Sequence, residues 1–222
     1  MNYQKELDKI LCNLECSGGE RVPRLLLHSC CAPCSSYVLE YLRTYFEITV
    51  FYYNPNISFA EEYRKRVEEQ KKLIEALNLE AVERQAEEQK NKRYHRIQVI
   101  EGDYDPGIFY QIAQGLEQCP EGGERCFRCF DLRLRETARR AAQEDFDYFA
   151  TTLTISPLKN AAKLNEIGQA LASEYQVPWL PSDFKKKNGY KRSIELSDIY
   201  GLYRQDYCGC AYSKAERERQ KT

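Results

Sequence analysis

The sequence has few of the residues and patterns on which several common protein classes depend. Only two of its 222 residues are histidines, so we do not expect a histidine-based catalytic triad. Its formal net charge is -1, which argues against binding of nucleic acid through bulk positive charge. No apolar run has the length of a signal-peptide core or a membrane span. We therefore predict a cytoplasmic protein that does not engage a membrane and that could contact RNA only through a local basic patch.

The residues that are present are typical of one folded domain. Hydrophobic residues make up 42% and aromatic residues 12%, in a chain long enough to bury a core. We find no internal repeat and no low-complexity linker that would divide it. The predicted organisation is a single α/β domain over residues 1–222, with an N-terminal extension at 1–22, the core at 23–213 and a polar tail at 214–222.

Strands and helices are predicted to alternate along the chain. The predicted strands are 24–28, 48–53, 79–82, 147–152 and 177–180. Helices are predicted from Ser35, from the capping box of Ser58 and Glu61, and over 105–116, 130–142, 160–175 and 193–200, with an exposed loop at 185–189. This alternation favours a Rossmann-like, mostly parallel sheet with helices on both faces. Ligands of such sheets bind beyond the carboxyl ends of the strands.

Ten cysteines in a reducing compartment indicate metal binding or catalysis rather than a disulfide framework. One group follows the first strand, at a helix N-terminus that lowers the pKa of thiols. A second group is a CxxC pair, whose spacing lets both sulfurs approach one metal or cluster. The third is a CxC pair with a glycine that permits a tight turn, in a C-terminal segment predicted to bind metal. The predicted ligands are Cys30, Cys31, Cys34, Cys126, Cys129, Cys208 and Cys210.

The spacing does not identify the metal. The CxxC and CxC pairs could form a closed zinc site that only stabilises a loop, but the first group would then have no role. The C-x₂-C-x₂-C-x₃-C-P run of bacterial ferredoxins is missing. Seven thiols exceed the four that one cluster needs, which favours two metal centres. The other cysteines, Cys12, Cys16 and Cys119, are expected to be ordinary small buried residues.

Polar and basic residues supply candidates for substrate binding. Asparagines after the second strand could pair with base edges or ribose hydroxyls, although Asn-Pro is also ordinary turn chemistry. Lysines and arginines make the C-terminal third locally basic, which suits RNA but is also typical of a solvated surface. The candidates are Tyr53, Asn54, Asn56, Lys159, Lys191, Arg192, Tyr203 and Arg204.

Two further residues are candidates for catalysis. Tyr104 and Asp105 could supply a proton near the metals, although Asp105 could equally be the N-cap of a helix that begins with a proline. We expect His28 to be a strand-end residue held by hydrogen bonds, or a metal ligand, rather than a general base.

Several motifs occur together in one order and resemble those of the QueH-type epoxyqueuosine reductases. They are HSCCAPC, YNPNI followed by EEYRKR, EGGERCFRC, TTLTISPLKN, KRSIELS and LYRQDYCGC, and they span about residues 25–213. The resemblance implies an oxidoreductase that removes the epoxide oxygen of epoxyqueuosine in tRNA, the last step of queuosine synthesis. It also implies a fold similar to adenine-nucleotide α-hydrolase domains.

The same resemblance implies the cofactors. A [4Fe-4S] cluster is expected beside a second metal, iron, and no cobalamin. By matching position the ligands are Cys30, Cys31, Cys126, Cys129, Cys208 and Cys210. Cys34 stands where an aspartate can also occur, and we expect it to be a seventh ligand.

The reaction implies partners. Two electrons must come from a donor such as a reductase, ferredoxin or flavodoxin, because no side chain supplies them. The modified base of the tRNA anticodon loop must be splayed out to reach the site.

Two alternative functions remain. A cluster-dependent tRNA sulfur-transfer enzyme would need ATP, yet HSCCAPC stands where a glycine-rich phosphate loop is expected. The other is a non-enzymatic RNA-binding module with structural zinc.

Overall fold

The computed structural model describes residues 1–16, 21–86 and 94–221, with the backbone alone at 84–86. Its four strands are β1 (Arg24–His28), β2 (Glu47–Tyr52), β3 (Gln98–Glu101) and β4 (Tyr148–Thr151). The helices of these residues are α1 (Tyr3–Cys16), α2 (Ala32–Leu42), α3 (Ala60–Ala86), α4 (Pro106–Ala113), α5 (Glu124–Gln143), α6 (Ala161–Tyr175), α7 (Gly189–Ile199) and α8 (Ala211–Lys221). A 3₁₀ turn over Thr152–Ile155 follows β4.

The strands form one parallel sheet in the order β3-β2-β1-β4. Leu26 of β1 lies between Thr49 of β2 and Phe149 of β4. Because all four strands run the same way, their carboxyl ends lie at one edge of the sheet. The segments that follow β1, β2 and β4 therefore begin close together.

Helices cover both faces of the sheet, because successive residues of β1 point into different apolar clusters. Leu25 and Leu27 pack with residues of α1, α2 and α3. Leu26 packs with residues of α5 and α6 on the other face. A central strand buried on both faces reads as a continuous apolar run, which is why β1 could be predicted. The predicted α/β fold with a parallel sheet is confirmed.

Two predicted strands are wrong. Residues 79–82 belong to α3, and Leu79 and Val82 lie on its exposed side. The third strand is instead β3, which has the half-polar sequence QVIE and lies at the edge of the sheet. Residues 177–180 make only an isolated bridge, between Trp179 and Phe149.

The ends of the chain are helical where they are described. In the predicted extension, α1 buries Leu7 and Leu11 against the core, while residues 17–20 lie outside the described part. The predicted polar tail continues α8 as far as Lys221, and residue 222 is also outside. The predicted loop ends at residue 188, because Gly189 already begins α7. None of the described helices combines the length and hydrophobicity needed to cross a membrane.

Candidate metal centre

The first cysteine group lies at the turn between β1 and α2. Cys31 is the N-cap of α2 and Pro33 lies in its first turn. The sulfurs of Cys30, Cys31 and Cys34 all lie within 4.8 Å of one another, and those of Cys30 and Cys31 are 3.7 Å apart. Thiolates of one tetrahedral metal, with bonds of about 2.3 Å, are roughly 3.8 Å apart. This group therefore has the spacing of ligands to a single metal ion.

Hydrogen bonds among the three thiols shift their pKa values in opposite directions. Hydrogen bonds from Cys31 and Cys34 lower the pKa of Cys30 well below the usual range. The hydrogen bond to Cys30 raises the pKa of Cys31 to about 12, and the pKa of Cys34 is also raised. A bound cation would allow all three thiols to ionise.

The second and third groups meet at the N-terminus of α5. Cys126 and Cys129 lie one turn apart on this helix, and the Gly122 amide donates to Cys126 Sγ at 3.3 Å. Cys129 and Cys210 share a small apolar cluster with Phe109. The thiols of Cys126, Cys129 and Cys210 also interact electrostatically with Cys208.

These four sulfurs are less tightly gathered than the first group. Among the described residues, the first group is the one set in which three ligand atoms all lie within 4.8 Å of one another. A cluster of several irons holds its thiolates farther apart than one ion does, so the wider spacing suits a cluster. Burial raises the pKa of both Cys129 and Cys210 to about 12. These thiols are therefore neutral unless a cation binds.

A buried arginine of α3 holds the CxC turn in place. The Nη1 of Arg66 donates to the carbonyl of Cys208 at 3.1 Å, and its Nε pairs with Glu62 at 2.7 Å. The intervening Gly209 has a φ of +117°, and a Cβ on it would lie 2.9 Å from Ile57. Only glycine fits this turn without strain.

A cavity of about 250 Å³ opens beside the cysteines. Cys30, Cys34 and Cys208 contribute to its wall, so cysteines of the first and third groups line one space. Lys159 also lines it. Burial acts to lower the pKa of Lys159, but the neighbouring Cys208 and Cys30 outweigh this and raise it, which keeps the side chain charged.

Comparison with known proteins decides the family. Residues 25–216 match the family model described as "QueH: Epoxyqueuosine reductase QueH". The chain belongs to the QueH family. The resemblance found in its motifs is thereby confirmed.

Relatives in the QueH family cover most of the chain. A protein of Staphylococcus epidermidis named "Epoxyqueuosine reductase QueH" is 43% identical over 215 residues, which are 96% of this chain and 84% of that protein. One of the same name from Streptococcus pyogenes is 44% identical over 191 residues, 86% of this chain and 70% of the relative. A third, from Staphylococcus aureus, is 38% identical over 219 residues, 98% of this chain and 85% of the relative.

The candidate substrate residues lie in three kinds of place. Lys159 and Arg204 line the cavity. Asn54 and Asn56 are buried behind it, where they donate to the Ser29 carbonyl at 2.8 Å and to Cys208 Sγ at 3.9 Å. The other four are not among the cavity residues. Tyr53 stacks on Phe51, Arg192 pairs with Glu40, Tyr203 lies under Lys65, and Lys191 is exposed.

The catalytic candidates of the QueH-family chain also lie outside the cavity lining. Tyr104 donates to the Ile57 carbonyl at 2.8 Å and stacks on Tyr63. Asp105 accepts a hydrogen bond from the Gly107 amide at 2.8 Å and so caps α4. This N-cap role was the predicted alternative to catalysis. Both side chains thus have structural partners.

His28 has the structural role that we expected. It is fully buried between the Thr151 hydroxyl, at 2.9 Å, and the Tyr53 carbonyl, at 3.1 Å. Burial lowers the pKa of His28 to about 3, so the ring is neutral. It fixes the ends of β1, β2 and β4 to one another.

Some expectations about single residues were wrong or incomplete. Cys12 and Cys16 are exposed rather than buried, with sulfurs 4.0 Å apart on α1, while Cys119 is partly buried. Arg133, which is buried behind the thiols, was not among the predicted site residues. The available signal was its position, one helical turn after Cys129.

Proposed function

We propose that this QueH-family protein is an epoxyqueuosine reductase that acts on tRNA without cobalamin. The epoxide C–O bonds break, two electrons and two protons are consumed, and the oxygen leaves as water while an alkene forms. The observation that carries the proposal is the arrangement of cysteines from three distant segments. Two of these segments contribute cysteines to one cavity, and the third, on α5, packs against the CxC turn. The family and the names of its relatives support the substrate.

The cysteines divide into two sets that fit the two expected metal centres. The closely spaced first group, after β1, would hold a single iron. The wider set on α5 and in the CxC turn would hold a [4Fe-4S] cluster. When bound, the cluster would supply electrons and the single iron would act as a Lewis acid toward the epoxide oxygen. A redox partner such as a ferredoxin, flavodoxin or reductase would replenish the electrons.

The cavity size suits only the reacting part of the substrate. Its volume of about 250 Å³ lies below the roughly 300–1,000 Å³ of sites that enclose a drug-sized ligand. The cyclopentane ring that carries the epoxide would enter, and the rest of the nucleotide would stay at the opening. This requires the base to leave the stack of the anticodon loop.

Lys159 would act on the oxygen inside the cavity. None of the ion pairs in the described part of the chain gives it a carboxylate partner, and the thiols keep it charged. Its ammonium would donate a hydrogen bond to the oxygen as negative charge develops there, and would be one source of the protons.

The opening would bind the neighbouring RNA. Leu158 and Tyr190 line the cavity and are 55% and 38% exposed, so they offer an apolar rim. The guanidinium of Arg204 lies 6.0 Å from the Tyr190 ring and donates to the Ser197 hydroxyl at 2.9 Å, which fixes its position. Tyrosine and arginine together can stack on an unpaired base and attract the phosphate backbone.

The proposal is tested by a conversion assay under anaerobic conditions. Reconstituted protein is reduced with dithionite and mixed with tRNA that carries epoxyqueuosine, and nucleosides are measured by mass spectrometry. We expect queuosine without added cobalamin or ATP. Dependence on ATP with transfer of sulfur would instead support the sulfur-transfer enzyme. Zinc-loaded protein that binds tRNA and converts nothing would support the RNA-binding module.

Two serine variants make the assay specific to the site. Cys208→Ser removes a thiol at the cavity and should abolish conversion. Cys12→Ser removes an exposed thiol on α1, outside both proposed metal-binding sets, and should leave conversion unchanged. Equal loss of activity in both variants would contradict the assignment of Cys208, and not Cys12, to the metal-binding site.

A further inference from the structure

A fully buried arginine lies behind the cysteines, and one of its three nitrogens makes no hydrogen bond to the described residues. Arg133 of α5 has no exposed surface. Its Nε donates to the Cys129 carbonyl at 3.1 Å and its Nη1 to Asn54 Oδ1 at 3.4 Å. Its Nη2 is buried and has no hydrogen-bond partner among the residues that the structure describes. A buried donor without an acceptor is destabilising, so such a group calls for a missing partner.

Among the described residues, the guanidinium also has no carboxylate partner. Two other buried arginines do, because Arg66 pairs with Glu62 at 2.7 Å and Arg43 with Glu80 at 3.3 Å. The remaining one, Arg125, has no ion pair in the described residues either, but its Nη1 donates to three backbone carbonyls. No ion pair among the described residues includes Arg133. Its electrostatic partners are thiols, those of Cys129, Cys208, Cys30 and Cys126. A buried positive charge without a counter-ion is costly, and an anionic centre at these thiols would balance it.

The position of Arg133 connects the two cysteine sets. It lies one helical turn after Cys129, so its side chain runs along the helix face that carries that thiol. Asn54, which accepts from Arg133, donates in turn to the carbonyl of Ser29, next to Cys30. The guanidinium is thereby held on two of its three nitrogens, which leaves Nη2 as the nitrogen available to a new acceptor.

We propose that Arg133 is the internal counter-ion of the iron–sulfur cluster, with Nη2 donating to a cluster sulfide or a ligating thiolate. This inference rests on the proposed function. Reduction of the cluster by one electron adds one negative charge, while Arg133 stays protonated throughout. A fixed positive charge and an N–H donor favour the more negative form. Arg133 is therefore a positioning residue that raises the reduction potential of the cluster.

The test is a redox titration of the reconstituted protein, followed by visible absorbance and electron paramagnetic resonance. Arg133→Met removes the charge and the donors but keeps an unbranched chain. We expect it to hold a cluster with a midpoint potential more negative than that of the wild type. Arg133→Lys keeps the charge but not the planar fork, so its potential should lie between the two.

A matched control separates this role from loss of a buried arginine in general. Arg43 is 2% exposed but donates to the Leu77 carbonyl and pairs with Glu80. Arg43→Met should lower stability and leave the potential unchanged. If Arg133→Met binds no iron while Arg133→Lys does, the charge itself holds the cluster and the inference stands.

The outcomes distinguish the inference from the function. A complete cluster with the same potential in Arg133→Met and the wild type would overturn the inference alone. So would loss of the cluster from Arg133→Lys and Arg43→Met alike, because any buried arginine would then have the same effect. Wild-type protein that cannot be loaded with a cluster would overturn the proposed function itself.

Discussion

Burial and neighbouring charge give single residues at the carboxyl edge of the sheet different roles. Burial makes His28 a neutral structural residue, whereas the surrounding thiols keep Lys159 charged. The cysteines could be predicted from the sequence as candidate metal ligands, because their spacing is visible in it. It could not predict Arg133, because an arginine becomes informative only when its burial and missing partner are known.

Loss of the Lys159 charge should slow the reaction without disturbing the metals. We expect Lys159→Gln to lower kcat about 100-fold, since removal of one donor to a developing oxyanion costs on the order of 10²–10³ in rate. Iron content should not change. Lys163→Gln is the control, because Lys163 is close in sequence but pairs with Glu166. A fall in kcat of equal size in both variants would contradict a specific role.

At the scale of elements, the ends of helices decide which thiols meet. The sequence placed the start of α5 near residue 130, but the helix begins at Glu124 after a glycine N-cap that makes no side-chain hydrogen bond. The usual capping signal was therefore missing. The earlier start puts Cys126 and Cys129 on successive turns of one helix, facing the CxC turn.

The CxC turn should not tolerate a side chain between its cysteines. Gly209→Ala forces a Cβ to 2.9 Å from Ile57 and 3.2 Å from Arg66, at a positive φ. We expect less iron per chain, measured after anaerobic reconstitution. Gly201→Ala is the matched control. Gly201 also has a positive φ, of +58°, but open space around it, so the variant should lose roughly 1–2 kcal/mol of stability and no iron.

Helix α7 should contribute an RNA contact through Tyr190. The start of this helix is fixed because Gly189 packs tightly against Phe184 and Tyr37, which positions Tyr190 at the cavity opening. Tyr190→Ala should raise KM for tRNA about 10-fold, from a stacking contribution of about 1–3 kcal/mol, and Tyr190→Phe should not. Tyr110, which is 40% exposed and packs on Tyr212, provides the control. An unchanged KM in Tyr190→Ala would exclude stacking.

At the scale of the whole molecule, sheet topology brings distant segments together. The alternation of strands and helices predicted a parallel sheet, and hence the edge where ligands bind. The short half-polar strand β3 escaped prediction, because two apolar residues in QVIE give little signal. The docking of the CxC turn on α3 depends on Arg66 and could not be read from spacing.

Metal binding should stabilise the whole domain, because the ligands come from three segments separated by most of the chain. Binding to the folded state at 1,000 times Kd adds about 4 kcal/mol, which corresponds to a rise in Tm of roughly 10 °C for a chain of this size. Removal of metal by a chelator under reducing conditions should lower Tm by a similar amount, measured by circular dichroism. Equal Tm values with and without metal would show that the thiols do not hold it in the folded state.

The central claim is that thiols from three segments hold an iron–sulfur cluster and an adjacent single iron. The most direct measurement is the content of iron and acid-labile sulfide in protein prepared without oxygen. The account predicts both, with more iron than sulfide because the first cysteine group would hold an additional iron. Protein that contains zinc and no sulfide would contradict it.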